Sequence, residues 1–270
     1  MITATNIDGI RFSRQKGYAI CHIDNLSDDI KEILRKQLAS VCYGPSKAAS
    51  TRKAYSYKKT LSEFLSRYET KAPDTKMGMI GELLTHILVM QFFEEFSAVS
   101  PYFNLEERSI KKGFDVILYS RGKNELWITE VKSGELHKNK NATETVIALL
   151  GTAKRDLNRR LNENHTTFWE NAINGATIAL ENKKDMKDAV VEILGNIEDE
   201  IVDENAKSTD KNVILVSSLF SSLSDEIKET DIKGASISIA GEKIFKEVIV
   251  FSFQKSTYQK VVDFLKSEAE

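Results

Sequence analysis

The hydrophobic pattern changes period several times along the chain, and each change predicts an element. Ile10-Arg-Phe and Tyr18-Ala-Ile-Cys-His-Ile, either side of a polar turn ending at Gly17, read as two strands. Over residues 26–41, Ile30, Ile33, Leu34 and Leu38 fall at helical spacing, with Ser27 as a cap and Gly44-Pro45 as a stop. The most regular helix is predicted over residues 75–96, opened by Pro73-Asp74. There Ile80, Leu83, Leu84, Ile87, Leu88 and Phe92 make one apolar face. A strand is expected near residues 103–108, then a hairpin of two strand-like runs, 114–119 and 125–132. Helices follow over 143–162 and within 181–210, then strands at 213–219 and 246–253 and a closing helix in 256–270. Strands separated by helices argue for a mixed α/β or α+β fold.

Composition narrows the classes. The chain has 270 residues, 41% of them hydrophobic and 29% charged, with a net charge of −2. Such a balance is that of a water-soluble protein and gives no whole-chain field toward nucleic acid or membrane. No apolar run reaches the ~20 residues that span a bilayer, and no signal peptide is expected at the start. Cys21 and Cys42 are too few for a disulfide framework or a structural zinc site, which makes a reducing, cytoplasmic setting the expectation. Over residues 43–76 basic residues interleave with Tyr43, Tyr55, Tyr57 and Tyr68. That mixture suits a nucleic-acid path, or else a solvated helix with Leu61, Phe64 and Leu65 inward. Residues 181–210 reverse the sign, giving an amphipathic helix with an acidic outer face.

The hairpin concentrates the chemistry. Arg121-Gly122-Lys123-Asn124 supplies turn residues, and centring the turn between Gly122 and Lys123 sets Asp115 directly opposite Glu130. Opposed residues share a face, and Lys132, two positions on, points the same way. In the preceding helix Glu82 stands at the shoulder of the apolar stripe beside Gly78 and Gly81. Each glycine costs about 1 kcal/mol against alanine unless close approach demands it. Two carboxylates and a nearby helix glutamate suit a hard cation, Mg²⁺ (or Mn²⁺), which keeps several waters and completes its shell with a substrate phosphate. Lys132 would then orient or activate water, or offset charge in the transition state. The same residues also fit a surface ion pair worth ~0–1 kcal/mol. Downstream, Lys154, Arg155, Arg159 and Arg160 form a basic edge suited to phosphate contact or to plain solvation. His22, His86, His137 and His165 lack zinc spacing, and no Walker A, G-x-S-x-G or G-x-G-x-x-G is present. Any ATP-driven step would therefore belong to a partner.

Met79-Ile-Gly-Glu82, Gly113-Phe-Asp115 and Glu130-Val-Lys132, in that order with helices before and after, resemble the PD-(D/E)xK nuclease superfamily, with Phe114 where the name has proline. The run from Met77-Gly to Lys132-Ser-Gly resembles more specifically the HamA family, the nuclease subunits of Hachiman anti-phage defence. The resemblance implies a restriction-endonuclease-like core, a central mixed sheet flanked by helices, over residues 73–270, preceded by an α+β segment, 1–72, that carries the basic stretch. It implies Glu82, Asp115 and Glu130 as metal ligands and Lys132 as the catalytic lysine. DNA is the implied substrate, and a helicase partner resembling HamB the implied restraint. The expectation is a metal-dependent DNA endonuclease. Its alternatives are a non-catalytic nucleic-acid- or partner-binding subunit of the same fold, and a scaffold that docks through its acidic helix.

Overall fold

The computed structural model describes residues 7–103 and 113–270. In chain order the elements are β1 (Ile10–Gln15), β2 (Tyr18–Ile23), α1 (Asp28–Tyr43), the single turn α2 (Pro45–Ala48), α3 (Tyr57–Glu69), α4 (Pro73–Phe92), β3 (Phe96–Ala98), β4 (Val116–Ser120) and β5 (Glu125–Glu135). Next come α5 (Ala142–Leu161), α6 (Thr166–Ala179), α7 (Lys184–Val202), β6 (Asn212–Phe220), α8 (Glu229–Gly241), β7 (Glu247–Lys255) and α9 (Gln259–Ser267). The strand expected near residues 103–108 lies, apart from Phe103, outside the described residues.

All seven strands join one mixed sheet in the order β1-β2-β7-β6-β5-β4-β3. β2, β7, β6 and β5 run parallel, while β1 on one side and β4 and β3 on the other add antiparallel edges. β6 is buried along its whole length, as expected of a parallel strand covered on both faces. One face packs Trp127, Val131, Val216 and Phe251 against α1, α3, α4 and α9. The other packs Ile117, Ile128, Leu215 and Val250 against α5 to α8. The mixed α/β architecture read from the pattern is the one observed. Residues 7–72 supply two strands of this sheet and part of the first core.

Local chemistry sets the boundaries. Ser27 caps α1 by accepting from the Ile30 amide at 3.3 Å, and Gly44, with φ 85°, ends it. A Cβ at Gly44 would lie 2.5 Å from Ala179, so only glycine lets α1 end against α6. Asn141 and Glu144 form a capping box at the start of α5. α4 differs from the one-sided helix that its pattern predicts: Thr85, His86 and Val89 are buried as well as the apolar stripe. It runs between the sheet and the α1 and α3 layer, and such a helix is enclosed on nearly all sides. Gly81 is what brings it down to the sheet. A Cβ there would meet Ser133 Oγ at 1.9 Å and Ser218 Oγ at 3.1 Å, whereas one at Gly78 meets nothing within 4 Å.

Candidate functional site

β4 and β5 form the expected hairpin in the expected register. Val116 pairs with Thr129 and Ser120 with Glu125, leaving Arg121 to Asn124 as a four-residue turn in which Asn124 takes φ 52°. Extending that register by one residue sets Asp115 against Glu130. β5 runs on past the end of β4, and the Asp115 carboxylate takes over there. Its Oδ2 accepts from the Val131 amide at 2.7 Å.

Glu130 is 1% exposed, so its charge must be met inside the protein. Lys132 Nζ lies 2.9 Å from Oε1, and Arg160 Nη2 donates to Oε2. Lys132 also pairs with Asp156 at 2.8 Å, and Arg160 Nη1 donates to the Gly113 carbonyl at 2.9 Å. Three carboxylates, Asp115, Glu130 and Asp156, thus share two cations. Asp115 bears the imbalance. Burial and the Glu130 charge push its carboxyl up to about 7, against the opposing pull of the Val131 amide, Arg160 and Lys132. Burial lowers Lys132, but its bonds to Asp156 and Glu130 outweigh that and hold the ammonium above its usual range. Asp156 is lowered by its bond from Lys132.

Glu82 comes from the opposite face of the sheet, since α4 packs on Trp127 and Val131 whereas Glu130 and Lys132 face α5. One ring senses both sides. The buried Tyr102 phenol donates to the Met79 carbonyl at 3.2 Å. Burial raises it well above its ordinary range, and the charges of Glu82 and Asp115 add to that shift. Among the described residues, no three His, Cys, Asp or Glu side chains gather as a ready-made metal cluster. The pair that the fold does bring together, Asp115 and Glu130, fits a hard divalent ion. It offers oxygen donors, and one of them is crowded by the other's charge. An ion that keeps most of its waters needs only one or two carboxylates.

The model of the HamA protein family matches residues 4–269. The chain belongs to the HamA family. No curated protein matches it. The HamA match spans Glu82, Asp115, Glu130 and Lys132 together with both helix layers.

The basic residues of this HamA chain do not form one edge. Lys154 grips Glu242 at 2.6 and 2.8 Å, Arg155 donates to Thr152 Oγ1 at 3.1 Å, and Arg159 pairs with Glu163 at 2.9 Å. Arg160 turns inward to Glu130, on another side of the helix. The tyrosines of residues 43–76 are largely packing groups. Tyr68 is 4% exposed, Tyr43 stacks edge-on against Tyr55 and Phe103, and Tyr57 donates to Glu268. Leu61 and Phe64 face inward, as the solvated-helix reading of that stretch requires. Asp156 is the site residue that sequence reasoning missed. Its one signal is its position four residues before Arg160, a spacing that on any helix reads as an ordinary surface pair.

Proposed function

We propose that the chain is a metal-dependent endonuclease of the PD-(D/E)xK type that hydrolyses DNA phosphodiester bonds. Membership of the HamA family supports a part in Hachiman anti-phage defence, with cleavage under the control of a helicase partner resembling HamB. The observation that carries the reading is the β4–β5 register, which extended by one residue sets Asp115 against Glu130, with Lys132 two residues further along the same face. Asp115 and Glu130 would hold Mg²⁺ or Mn²⁺, with Glu82, on α4 over the other face of the sheet, as the third ligand that the family resemblance implies. When bound, the ion supplies Lewis-acid stabilisation of the phosphate and eases the ionisation of water. With its pKa pushed up to about 7, Asp115 holds its proton more tightly than a free carboxyl, and it would give that proton up to hold the ion. Lys132, kept cationic by Asp156 and Glu130, directs an ammonium at the attacked phosphate or its water and offsets charge that grows in the transition state. Lys154, Arg155 and Arg159 would meet the DNA backbone by exchanging their present partners Glu242, Thr152 and Glu163 for phosphates, while Arg160, turned inward to Glu130, would lie deeper in the site.

The test is nicking of supercoiled plasmid with Mg²⁺ or EDTA, by the chain alone and with its helicase partner. Wild type is expected to nick only with Mg²⁺. Lys132→Ala should lose activity by ~100-fold or more while still folding and binding Mn²⁺. A Lys132→Ala protein that binds Mn²⁺ and cuts at the wild-type rate removes the mechanism. A second reading has one observation in its favour: both oxygens of Glu130 are already satisfied by Lys132 and Arg160, as a purely structural ion pair would be. In that case the chain is a non-catalytic subunit that binds nucleic acid or a partner. It would then neither bind Mn²⁺ nor cut under any of these conditions.

A further inference from the structure

Helix α5 grips the Glu130-Val-Lys132 segment with two side chains one turn apart, Asp156 and Arg160. Arg160 ties the segment that leads into β4 to the middle of β5, donating to the Gly113 carbonyl just before Phe114-Asp115 and to Glu130. Asp156 holds Lys132 at 2.8 Å, and Lys132 meets the other oxygen of Glu130 at 2.9 Å. Every oxygen of that buried carboxylate therefore faces a cation.

We propose that Asp156 and Arg160 are positioning residues of the site, and that the Arg160 guanidinium holds the place on Glu130 that a divalent ion takes over. The proposal rests on the metal-dependent reading above. A carboxylate this deeply buried needs a cation beside it at all times, or it protonates or destabilises the fold. Two cations are within reach, and they are not equally free to leave. Lys132 starts two residues from Glu130 on the same strand face and is tethered by Asp156. Arg160 reaches in from the last turn of α5 on a long stem, and besides Glu130 it holds the neutral Gly113 carbonyl, a weaker tether than the Asp156 carboxylate that holds Lys132. Arg160 is thus the one that gives way. Asp156 keeps the ammonium in place as it does so.

Thermal unfolding in EDTA and in saturating Mn²⁺, with calorimetric titration of Mn²⁺, tests this on the full chain. Arg160→Gln should unfold several degrees below wild type in EDTA, and the gap should close in saturating Mn²⁺, because the ion then supplies the missing charge. Its Mn²⁺ affinity should rise about tenfold, the scale of one nearby screened charge removed. Arg160→Lys keeps the charge without the two-point grip and should fall between. Asp156→Asn, which leaves Lys132 wholly on Glu130, should weaken Mn²⁺ binding. A gap of the same size with and without Mn²⁺ makes Arg160 a structural strut and overturns the proposal, as does unchanged or weaker affinity in Arg160→Gln. If Arg160→Gln does not fold, Arg160→Lys carries the same comparison with the same overturning result. Wild type that shows neither heat nor stabilisation with Mn²⁺ is a different outcome: it sinks the metal reading itself, and this proposal with it.

Discussion

Two ion networks of similar design sit toward opposite sides of the sheet. Near the β1 edge, Arg11 stands between Asp24 at 2.8 Å and Glu226 at 2.6 Å, with side chains 49%, 39% and 42% exposed. Near the other edge, Glu130 stands between Lys132 and Arg160 with its side chain 2% exposed. In the first a cation is shared by two anions, and in the second an anion by two cations. Geometry hardly separates them; water does. At the β1 edge each charge is hydrated with or without its partners, so the pairing adds little. Around Glu130 the protein has replaced water, so each charge depends on the others. Such dependence is what a site that exchanges one cation for another requires.

The largest expected difference is in stability. Arg160→Ala leaves a buried carboxylate short of a partner and should cost about 3–5 kcal/mol. Arg11→Ala, at the exposed network, should cost about 0–1 kcal/mol. Denaturant unfolding of both variants in EDTA measures the two, and equal costs would break the comparison.

The next difference is one of sign with pH. The pKa of Asp115 is raised to about 7 in the folded protein, so the folded state holds that proton more tightly than the unfolded chain. Its contribution is full below the unfolded value of about 4 and is lost as pH rises through 7. Asp24 and Glu226 are lowered by their bonds from Arg11, so theirs is present near neutrality and is lost as pH falls through the acid range. Stability measured from pH 4 to 8 in EDTA should thus fall less steeply for Asp115→Asn than for wild type. Asp24→Asn should narrow its gap to wild type toward the acid end. Parallel profiles for wild type and Asp115→Asn would mean that the site carboxylates are not crowded.

The smallest effect is screening. At 1 M salt the coupling of Arg11 to its carboxylates should drop by a few tenths of a kcal/mol, while that of Arg160 to Glu130 should hardly change. Double-mutant cycles at low and high salt make the comparison. Equal salt sensitivity would place both networks in the same dielectric.

Much of the site was legible because it is local. A hairpin register follows from its turn, so the pairing of β4 with β5 could be set from four turn residues, and its extension by one residue brings Asp115 to Glu130. α1 announced itself by Ser27 and Gly44. What failed to show was tertiary. Nothing in the chain says that α5 lies over the Glu130 face, so Arg160 reads as one of four similar basic residues and Asp156 as a solvated acid. The tyrosines of residues 43–76 look like a stacking surface until a core is there to take Tyr68. α8 carries little periodic signal: Ile232 and Ile239 are buried while Ile237 is 64% exposed, in a run, Ser-Ile-Ser-Ile, that alternates like a strand.

Gly81 acts as a gauge block. Glu82 on α4 and Glu130 on β5 lie toward opposite faces of one sheet, so their separation is set by how far α4 stands off β5. That clearance is fixed where the Gly81 backbone meets Ser133, at a point with no room for even a methyl group. Glu82 is the next residue. The spacing of Glu82 from the Asp115 and Glu130 pair is therefore machined at a residue that carries no chemistry of its own.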